Sequence, residues 1–149
     1  MTTFLYILIA VGTFFFMEGV AWFTHKYIMH GFMWWWHRSH HKVHHHAFEM
    51  NDLFAVTFSI PSILTIYFGY HNPELKWLLF VGIGILGYGI FYFLFHDIIV
   101  HRRIKIPFKA KSKYMKRIMR AHYVHHEKHT KEGGEAFGFL YAPKKYEEK

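Results

Sequence analysis

Three long apolar runs, separated by polar segments, dominate the pattern of hydrophobic positions along the chain. They cover residues 2–23, 53–70 and 75–95. Each is about long enough for a helix that crosses the roughly 30 Å hydrocarbon layer of a bilayer. The first run has no basic start and no small-residue cleavage site, so we do not interpret it as a removable signal peptide. The pattern predicts an all-α integral membrane protein in which residues 1–149 form a single domain with three transmembrane helices.

The polar segments fall on one side of the membrane in this topology. Because the turn between the second and third runs is short, the third run returns the chain to the face that the second run left. Segments 25–46 and 96–129 then form a histidine-rich helical cap on one membrane face. Of the 18 Lys and Arg residues, all except Lys76 flank these segments. Because positive residues accumulate on the cytoplasmic side, the sequence predicts a multi-pass inner-membrane protein with its histidines at the cytoplasmic face.

The two polar segments carry the same histidine pattern, HX4H followed by HX2HH. The chain has 15 His and no Cys, which excludes thiolate-held iron–sulfur clusters and cysteine zinc sites. Neutral imidazole is the commonest metal ligand in proteins. Ten imidazoles are too many for one ion, so the pattern predicts two metal ions that share one set of ligands. The candidate ligands are His25, His30, His37, His40, His41, His96, His101, His122, His125 and His126.

The spacing within each motif predicts how these ligands divide. Successive residues of an α-helix are rotated by about 100°, so His37 and His41 share a face and can converge on one ion. His40 is rotated away and can reach a neighbouring ion, and the second HX2HH repeats this arrangement. His25 and His30, five residues apart, diverge by about 140° on a regular α-helix. That divergence favours a broad site for two metals over a single ion bound by the pair.

Other features of the apolar runs have two interpretations each. Glu18 is either a hydrogen-bond partner of a ligand imidazole or a carboxylate that reaches water from the helix end. Residues 34–36, three tryptophans, are interfacial anchors or the wall of a substrate pocket. The GIGILGYG sequence at 82–89 contains GxGxxG, but no βαβ unit surrounds it. We therefore expect its glycines to allow close helix packing, and we expect no dinucleotide site.

The region after the third run is basic. Ser112 is a plausible N-cap for a helix that continues to about His126. One face would carry Tyr114, other apolar residues and histidines, and the opposite face would carry lysines and arginines. We expect the basic face to meet lipid headgroups or an acidic partner. No nucleic-acid recognition module is visible, so nucleic acid is not a predicted ligand.

An all-nitrogen ligand set accepts zinc, iron, copper or nickel. Structural zinc sites are closed and four-coordinate, which ten shared imidazoles do not match. A dinuclear iron site at a membrane face fits the use of O₂ to attack an unreactive C–H bond of an apolar substrate from the bilayer. The electrons must then come from outside the chain, and the basic surface suits an acidic electron carrier.

Several segments resemble those of the membrane fatty acid hydroxylase superfamily and, within it, of the bacterial β-carotene 3-hydroxylases. The resemblance covers residues 17–143 and includes HKYIMHGFMWWWHRSHH, FEMNDLFAV, FHDIIVHRR, AHYVHH and FGFLYAP. It implies that the ten histidines bind two iron ions and that O₂ is a co-substrate. It also implies that a ferredoxin-type donor supplies electrons. The reaction implied is hydroxylation of carbon 3 of the β-ionone rings, which converts β-carotene to β-cryptoxanthin and zeaxanthin.

Four positions add to this pattern or depart from it. His44 and His45 create a second HX2HH frame with His41, although WHRSHH matches the family and favours His37, His40 and His41. His129 is an additional, weaker ligand candidate. Ile98 stands where the family commonly has glycine, and we expect it to narrow the pocket.

Asp97, next to His96, is expected in a family-like site to orient an imidazole.

Two other functions compete with carotenoid hydroxylation. A fatty acid or sterol hydroxylase would carry the same histidine motifs. A histidine-rich membrane metal carrier would need a polar path through its helices. Apart from Glu18 and Lys76, which lies at the start of the third run, the apolar runs contain no charged side chain, so the sequence favours a hydroxylase over a carrier.

Overall fold

The computed structural model describes residues 2–42 and 48–147, and these residues form helices and loops. Two helices continue into π-helical turns, in which hydrogen bonds join residues i and i+5. The elements in order are α1 (Thr3–Phe23), π1 (Thr24–Phe32), α2 (Trp34–His37), α3 (Asp52–His71), a 3₁₀ turn (Pro73–Leu75), α4 (Lys76–Tyr92), π2 (Phe93–Val100), α5 (Lys113–His126) and a 3₁₀ turn (Lys144–Tyr146).

The predicted helical membrane architecture is confirmed. Three helices, Thr3–Phe32, Asp52–His71 and Pro73–Val100, are long and apolar enough to cross a membrane. The first and third extend beyond the apolar runs because the backbone stays helical through the HX4H motifs. π1 begins directly after the first apolar run and π2 begins within the last residues of the third, so the HX4H histidines lie at the ends of membrane helices.

Helix α4 packs against both α1 and α3, and its glycines permit the close approach. A Cβ added at Gly82 would lie 2.6 Å from the Thr65 hydroxyl and 2.8 Å from the Ser62 carbonyl oxygen on α3. One added at Gly84 would lie 2.5 Å from the Ala10 carbonyl oxygen on α1. The expected role of the GIGILGYG segment in helix packing is confirmed at these two positions.

Helix α5 begins as predicted, because the Ser112 hydroxyl accepts a hydrogen bond from the Met115 amide at 3.1 Å. Its buried side includes Ile118 and Ala121, which pack against Phe95 of π2. This contact fixes α5 over the end of the third membrane helix.

One residue of α5 differs from the expected amphipathic pattern. Tyr114 is 46% exposed rather than buried. Its hydroxyl donates a hydrogen bond to the Leu140 carbonyl at 2.6 Å, which draws the side chain toward the C-terminal segment.

We predict that Gly84→Ala destabilises the helix bundle by roughly 1–3 kcal/mol, because the new methyl group forces α1 and α4 apart. The matched control is Gly12→Ala on α1, where an added Cβ meets no atom within 4 Å. Thermal unfolding in detergent compares the two variants. Equal melting temperatures would contradict the close contact between α1 and α4.

Candidate metal centre

The ten histidines converge into two buried groups of five. Within each group, one nitrogen from every imidazole lies within 4.8 Å of all the others. Group 1 consists of His25, His30, His37, His41 and His125. Group 2 consists of His40, His96, His101, His122 and His126.

Each group draws on both halves of the chain in the same way. It takes both residues of one HX4H motif and the outer two histidines of the HX2HH motif that follows. The fifth member is the central histidine of the other HX2HH motif. His40 therefore joins group 2, while His125 joins group 1. On α5 this division follows the expected angular positions of an α-helix, whereas α2 ends at His37 and turns carry His40 and His41. The exchange of the two central histidines ties the two halves together at their ligands.

The expectation that the HX4H pairs diverge is wrong, because both pairs lie on π-helices. In a π-helix residues five apart stack on one face, whereas in an α-helix they do not. The His101 amide donates a hydrogen bond to the His96 carbonyl at 2.9 Å, which is the i to i+5 pattern. The rings of His96 and His101 have centroids 4.5 Å apart, and those of His25 and His30 are 5.4 Å apart. Each HX4H motif thus supplies two ligands to one group.

A kink at Gly31 (φ −105°, ψ −124°) ends π1 and turns the chain into α2. The turn places the Trp34 ring 5.0 Å from the His30 ring and 5.3 Å from the His41 ring. Trp34 thus walls group 1, whereas Trp35 is 53% exposed, as an interfacial anchor would be. None of the three tryptophans lines either of the two cavities beside the histidines, so the structure does not support the interpretation of a substrate-pocket wall.

Burial keeps the imidazoles neutral. It lowers the pKa of His41 to about 4 and that of His125 to about 3, because protonation would leave a poorly solvated charge. The pKa values of His37, His40 and His122 also lie well below the usual value, chiefly because of burial. The groups are therefore in the protonation state that binds metal.

Three pairs of imidazole nitrogens face each other without a proton between them. His25 Nδ1 donates to the Phe137 carbonyl and His37 Nδ1 donates to Asn51 Oδ1, so in each neutral ring Nε2 carries only a lone pair. These two Nε2 atoms are 3.0 Å apart. The Nε2 atoms of His30 and His125, whose Nδ1 atoms donate to carbonyls, are 3.2 Å apart.

The third pair lies in group 2, where the Nε2 atoms of His40 and His96 are 2.9 Å apart. Both Nδ1 atoms face carboxylate oxygens. Two lone pairs at such distances repel each other unless a cation lies between them. Metal–imidazole distances of roughly 2.1 Å place neighbouring ligand nitrogens about 3 Å apart, so both groups fit a bound metal ion.

The C-terminal segment supplies hydrogen-bond acceptors to group 1. The Lys131, Glu135 and Phe137 carbonyls accept from the Nδ1 atoms of three of its imidazoles. Such contacts fix both the tautomer and the orientation of a ligand ring. The segment from 131 to 140 therefore covers group 1. Sequence spacing did not reveal these contacts, because most of the partners lie far apart along the chain.

The FEMND segment supplies acceptors to both groups. Asn51 Oδ1 accepts from His37 Nδ1 at 2.7 Å, and the side chain makes no capping bond to α3. Glu49 Oε1 accepts from His40 Nδ1 at 3.0 Å, and Asp97 Oδ1 accepts from His96 Nδ1 at 3.0 Å. Asp97 thus lies where it can orient an imidazole, as expected. Glu49 and Asn51 were missed, although their position after the first HX2HH motif was visible in the sequence.

The expected hydrogen bond between Glu18 and a ligand imidazole is not formed. The Glu18 carboxylate instead accepts from the amides of Phe139 and Leu140 at 2.7 and 2.8 Å, and from the Tyr88 hydroxyl at 2.8 Å. Two backbone amides and a hydroxyl compensate the charge of this half-buried carboxylate better than one imidazole would. Glu18 thus anchors the segment whose Phe137 carbonyl holds His25.

The weaker candidates have other positions. His129 lies outside both groups, and its Nδ1 donates to the His41 carbonyl at 2.9 Å. His44 and His45 lie outside the described residues. Ile98 was expected to narrow the pocket, but it lines neither of the two cavities next to the histidines, because it lies on another side of π2.

Two different cavities reach the histidine groups. An apolar cleft of about 510 Å³ lies between α1, α3 and α4 and ends at His25, Tyr92 and Phe139. Its outer rim includes Ile63, Leu86 and Ile90, which are exposed on the membrane-spanning helices. A wider, more polar groove of about 1180 Å³ reaches group 2 and is lined by Lys42, Arg102, Arg103 and Lys105. Apolar molecules can therefore reach the histidines from the bilayer side and polar ones from the other side.

Three helices are long enough to cross a membrane, and histidines that could hold metal ions lie at the end of an apolar cleft. These features define the class of membrane-bound metalloproteins that act on apolar molecules. Residues 10–142 match the fatty acid hydroxylase family. The chain belongs to this family and is a hydroxylase by that relationship.

Its relatives include beta-carotene hydroxylases from three bacteria. The protein of Pantoea ananas is 48% identical over 128 residues, which cover 85% of this chain and 71% of the relative. The protein of Pseudescherichia vulneris is 46% identical, covering 86% of this chain and 72% of the relative. That of Paracoccus sp. (strain PC1) is 39% identical, covering 91% and 83%. No solved structure matches the chain significantly.

We predict that the metal-free protein loses stability as the pH falls from 6.5 toward 4. The unfolded chain binds protons near pH 6.5, whereas folded His41 and His125 have pKa values of about 4 and about 3. Protonation then favours the unfolded state and lowers the free energy of unfolding by about 2 kcal/mol per imidazole at pH 5. Thermal unfolding of chelator-treated protein at pH 7.5, 6 and 5 measures this loss.

The control for the pH series is His71→Ala, since His71 is exposed and distant from both groups. It should show the same pH dependence as the unaltered protein. A melting temperature that does not change between pH 7.5 and 5 would show that the imidazoles are not buried as described.

We also predict that Gly138→Ala disrupts the anchor of the C-terminal segment. An added Cβ would lie 2.7 Å from Glu18 Oε1, so the amides of Phe139 and Leu140 would have to move away from the carboxylate. We expect a loss of roughly 1–3 kcal/mol in unfolding free energy. Gly19→Ala is the matched control, because an added Cβ there meets no atom within 4 Å. If both variants unfold at the same temperature, Glu18 does not anchor this segment.

Proposed function

We propose that this protein is a β-carotene 3-hydroxylase that hydroxylates carbon 3 of the β-ionone rings and forms β-cryptoxanthin and then zeaxanthin. The main support is the position of the facing His25 and His37 nitrogens at the inner end of an apolar cleft that opens toward lipid and ends at His25. The names of the bacterial relatives support the choice of substrate.

The metals in this proposal are two iron ions, one held by group 1 and one by group 2. O₂ is the co-substrate, and bound iron supplies the activation of O₂ that attack on an unreactive C–H bond requires. The protein contributes neutral imidazoles whose Nδ1 protons are held by oxygen atoms behind them. These contacts keep each Nε2 atom free and fix its direction.

The cleft binds and positions the substrate. Its wall is formed by apolar side chains such as Met17, Phe54 and Phe58, which exclude water from the space next to His25. A volume of about 510 Å³ suits one end of a long hydrocarbon rather than the whole molecule. One β-ionone ring would therefore enter, while the polyene chain extends along the exposed faces of α3 and α4.

The electrons come from an external ferredoxin-type donor in this proposal. The groove beside group 2 and the exposed side of α5 carry lysines and arginines, which suit an acidic protein. We place this face in the cytoplasm, because nearly all the positive residues lie on it.

The same geometry also accepts other apolar substrates, so fatty acid or sterol hydroxylation is the alternative that needs an experimental test. A metal carrier is disfavoured, because the half-buried carboxylate in α1, Glu18, is bound to backbone amides and a tyrosine rather than lining a path through the helices.

The experiment is chromatography of pigments from β-carotene-accumulating bacteria that express this chain. Appearance of zeaxanthin, with β-cryptoxanthin as an intermediate, is the expected result. Unchanged β-carotene in cells whose membranes contain folded, iron-loaded protein would refute the carotenoid substrate and favour a lipid. Unchanged β-carotene with a folded protein that binds no iron would refute the oxygenase itself.

We predict that His40→Ala and His125→Ala each abolish zeaxanthin formation and reduce the bound iron. His40 lies in the first half of the chain but belongs to group 2, and His125 lies in the second half but belongs to group 1. His71→Ala is the control and should retain both activity and iron. Full activity and full iron content in either ligand variant would contradict a centre shared between the two halves.

A further inference from the structure

The two histidine groups have the same number of imidazoles, but the oxygen atoms behind them differ in charge. In group 1, four imidazoles donate through Nδ1 to neutral oxygens. Three of these belong to backbone carbonyls of the C-terminal segment, and the fourth is the amide oxygen of Asn51.

In group 2, two imidazoles are hydrogen-bonded to carboxylates. Glu49 Oε1 lies 3.0 Å from His40 Nδ1, and the two side chains are 4% and 3% exposed. Asp97 Oδ1 lies 3.0 Å from His96 Nδ1, with side chains 13% and 1% exposed. Both pairs are therefore largely removed from water, where electrostatic interactions are stronger than at a surface.

A neighbouring arginine does not cancel these charges. Arg103 lies 3.7 Å from Asp97 Oδ1, but both its terminal nitrogens are hydrogen-bonded to the Asp52 carboxylate at 2.7 Å. One guanidinium thus stands among the three carboxylates of Glu49, Asp52 and Asp97. No carboxylate among the described residues forms a hydrogen bond with a group 1 imidazole.

A carboxylate behind an imidazole makes the ring a stronger donor to a metal than a neutral carbonyl does. Its negative charge also attracts the metal ion directly. We propose that the two metal sites differ in affinity. Group 2 binds its ion more tightly than group 1, and Glu49 and Asp97 are the positioning residues that cause the difference. Group 1, next to the apolar cleft, holds the more weakly bound ion.

This inference rests on the proposed function only in requiring that both groups bind iron. The test uses the full-length protein, purified in detergent, freed of metal and equilibrated without oxygen against chelator-buffered Fe²⁺. Bound iron per chain is measured at each free Fe²⁺ concentration. The unaltered protein should bind two ions in two separate steps.

Glu49→Gln and Asp97→Asn keep the shape of each side chain and remove its charge. Each should weaken the tighter step by about tenfold or more and leave the weaker step unchanged, because outer contacts of ligand histidines typically change metal affinity by 10–100-fold. Asn51→Asp is the reciprocal variant, because it places a carboxylate behind His37 in group 1. It should tighten the weaker step.

The reciprocal variant separates charge from structure, since a merely disruptive substitution does not strengthen binding. Two indistinguishable steps in the unaltered protein would overturn the inference and leave the proposed function intact. The same holds if the Glu49→Gln variant weakens both steps equally, or if Asn51→Asp fails to tighten the weaker step. Failure of the folded, unaltered protein to bind two ions would instead overturn the proposed function.

Discussion

The constraint on which the structure depends is the burial of imidazoles whose unprotonated nitrogens point at one another; eight of the ten in the two groups are buried. Facing pairs such as His25 with His37 and His40 with His96 lie 3.0 and 2.9 Å apart. Without a cation, each pair costs both repulsion and the loss of hydration. The fold must therefore hold the rings in place, and most of its irregular features serve that purpose.

The local backbone and the distant segments divide this task. The π-helical turns bring residues five apart onto one face, which an α-helix cannot do. The loops then supply oxygen atoms behind the rings, from Asn51 and Glu49 in one segment and from the 131–137 carbonyls in another. Glu18, half-buried near the end of α1, anchors that second segment through two amides. The membrane helices thus determine both the position of the ligands and the path of the chain that covers them.

Sequence periodicity predicted the structure correctly where the chain forms regular α-helices. The three apolar runs predicted the three long apolar helices, and on α5 a rotation of 100° per residue separated His125 from His122 and His126. Periodicity gave the wrong relative orientation of His25 and His30, because the spacing of apolar residues and histidines does not reveal a change from α to π hydrogen bonding. It also missed the bonds to Asn51 and to the C-terminal carbonyls, because these depend on tertiary contacts. Glu18 was recognised as unusual, but its partners are 121 and 122 residues away.

X-ray absorption at the iron edge, combined with the iron-to-protein ratio of the purified enzyme, tests the central claim most directly. The account predicts two iron ions per chain. Each should be surrounded mainly by nitrogen atoms and show the outer scattering of about five imidazoles, as the two groups of five histidines require. A single iron per chain, or a shell dominated by oxygen with few imidazoles, would contradict it.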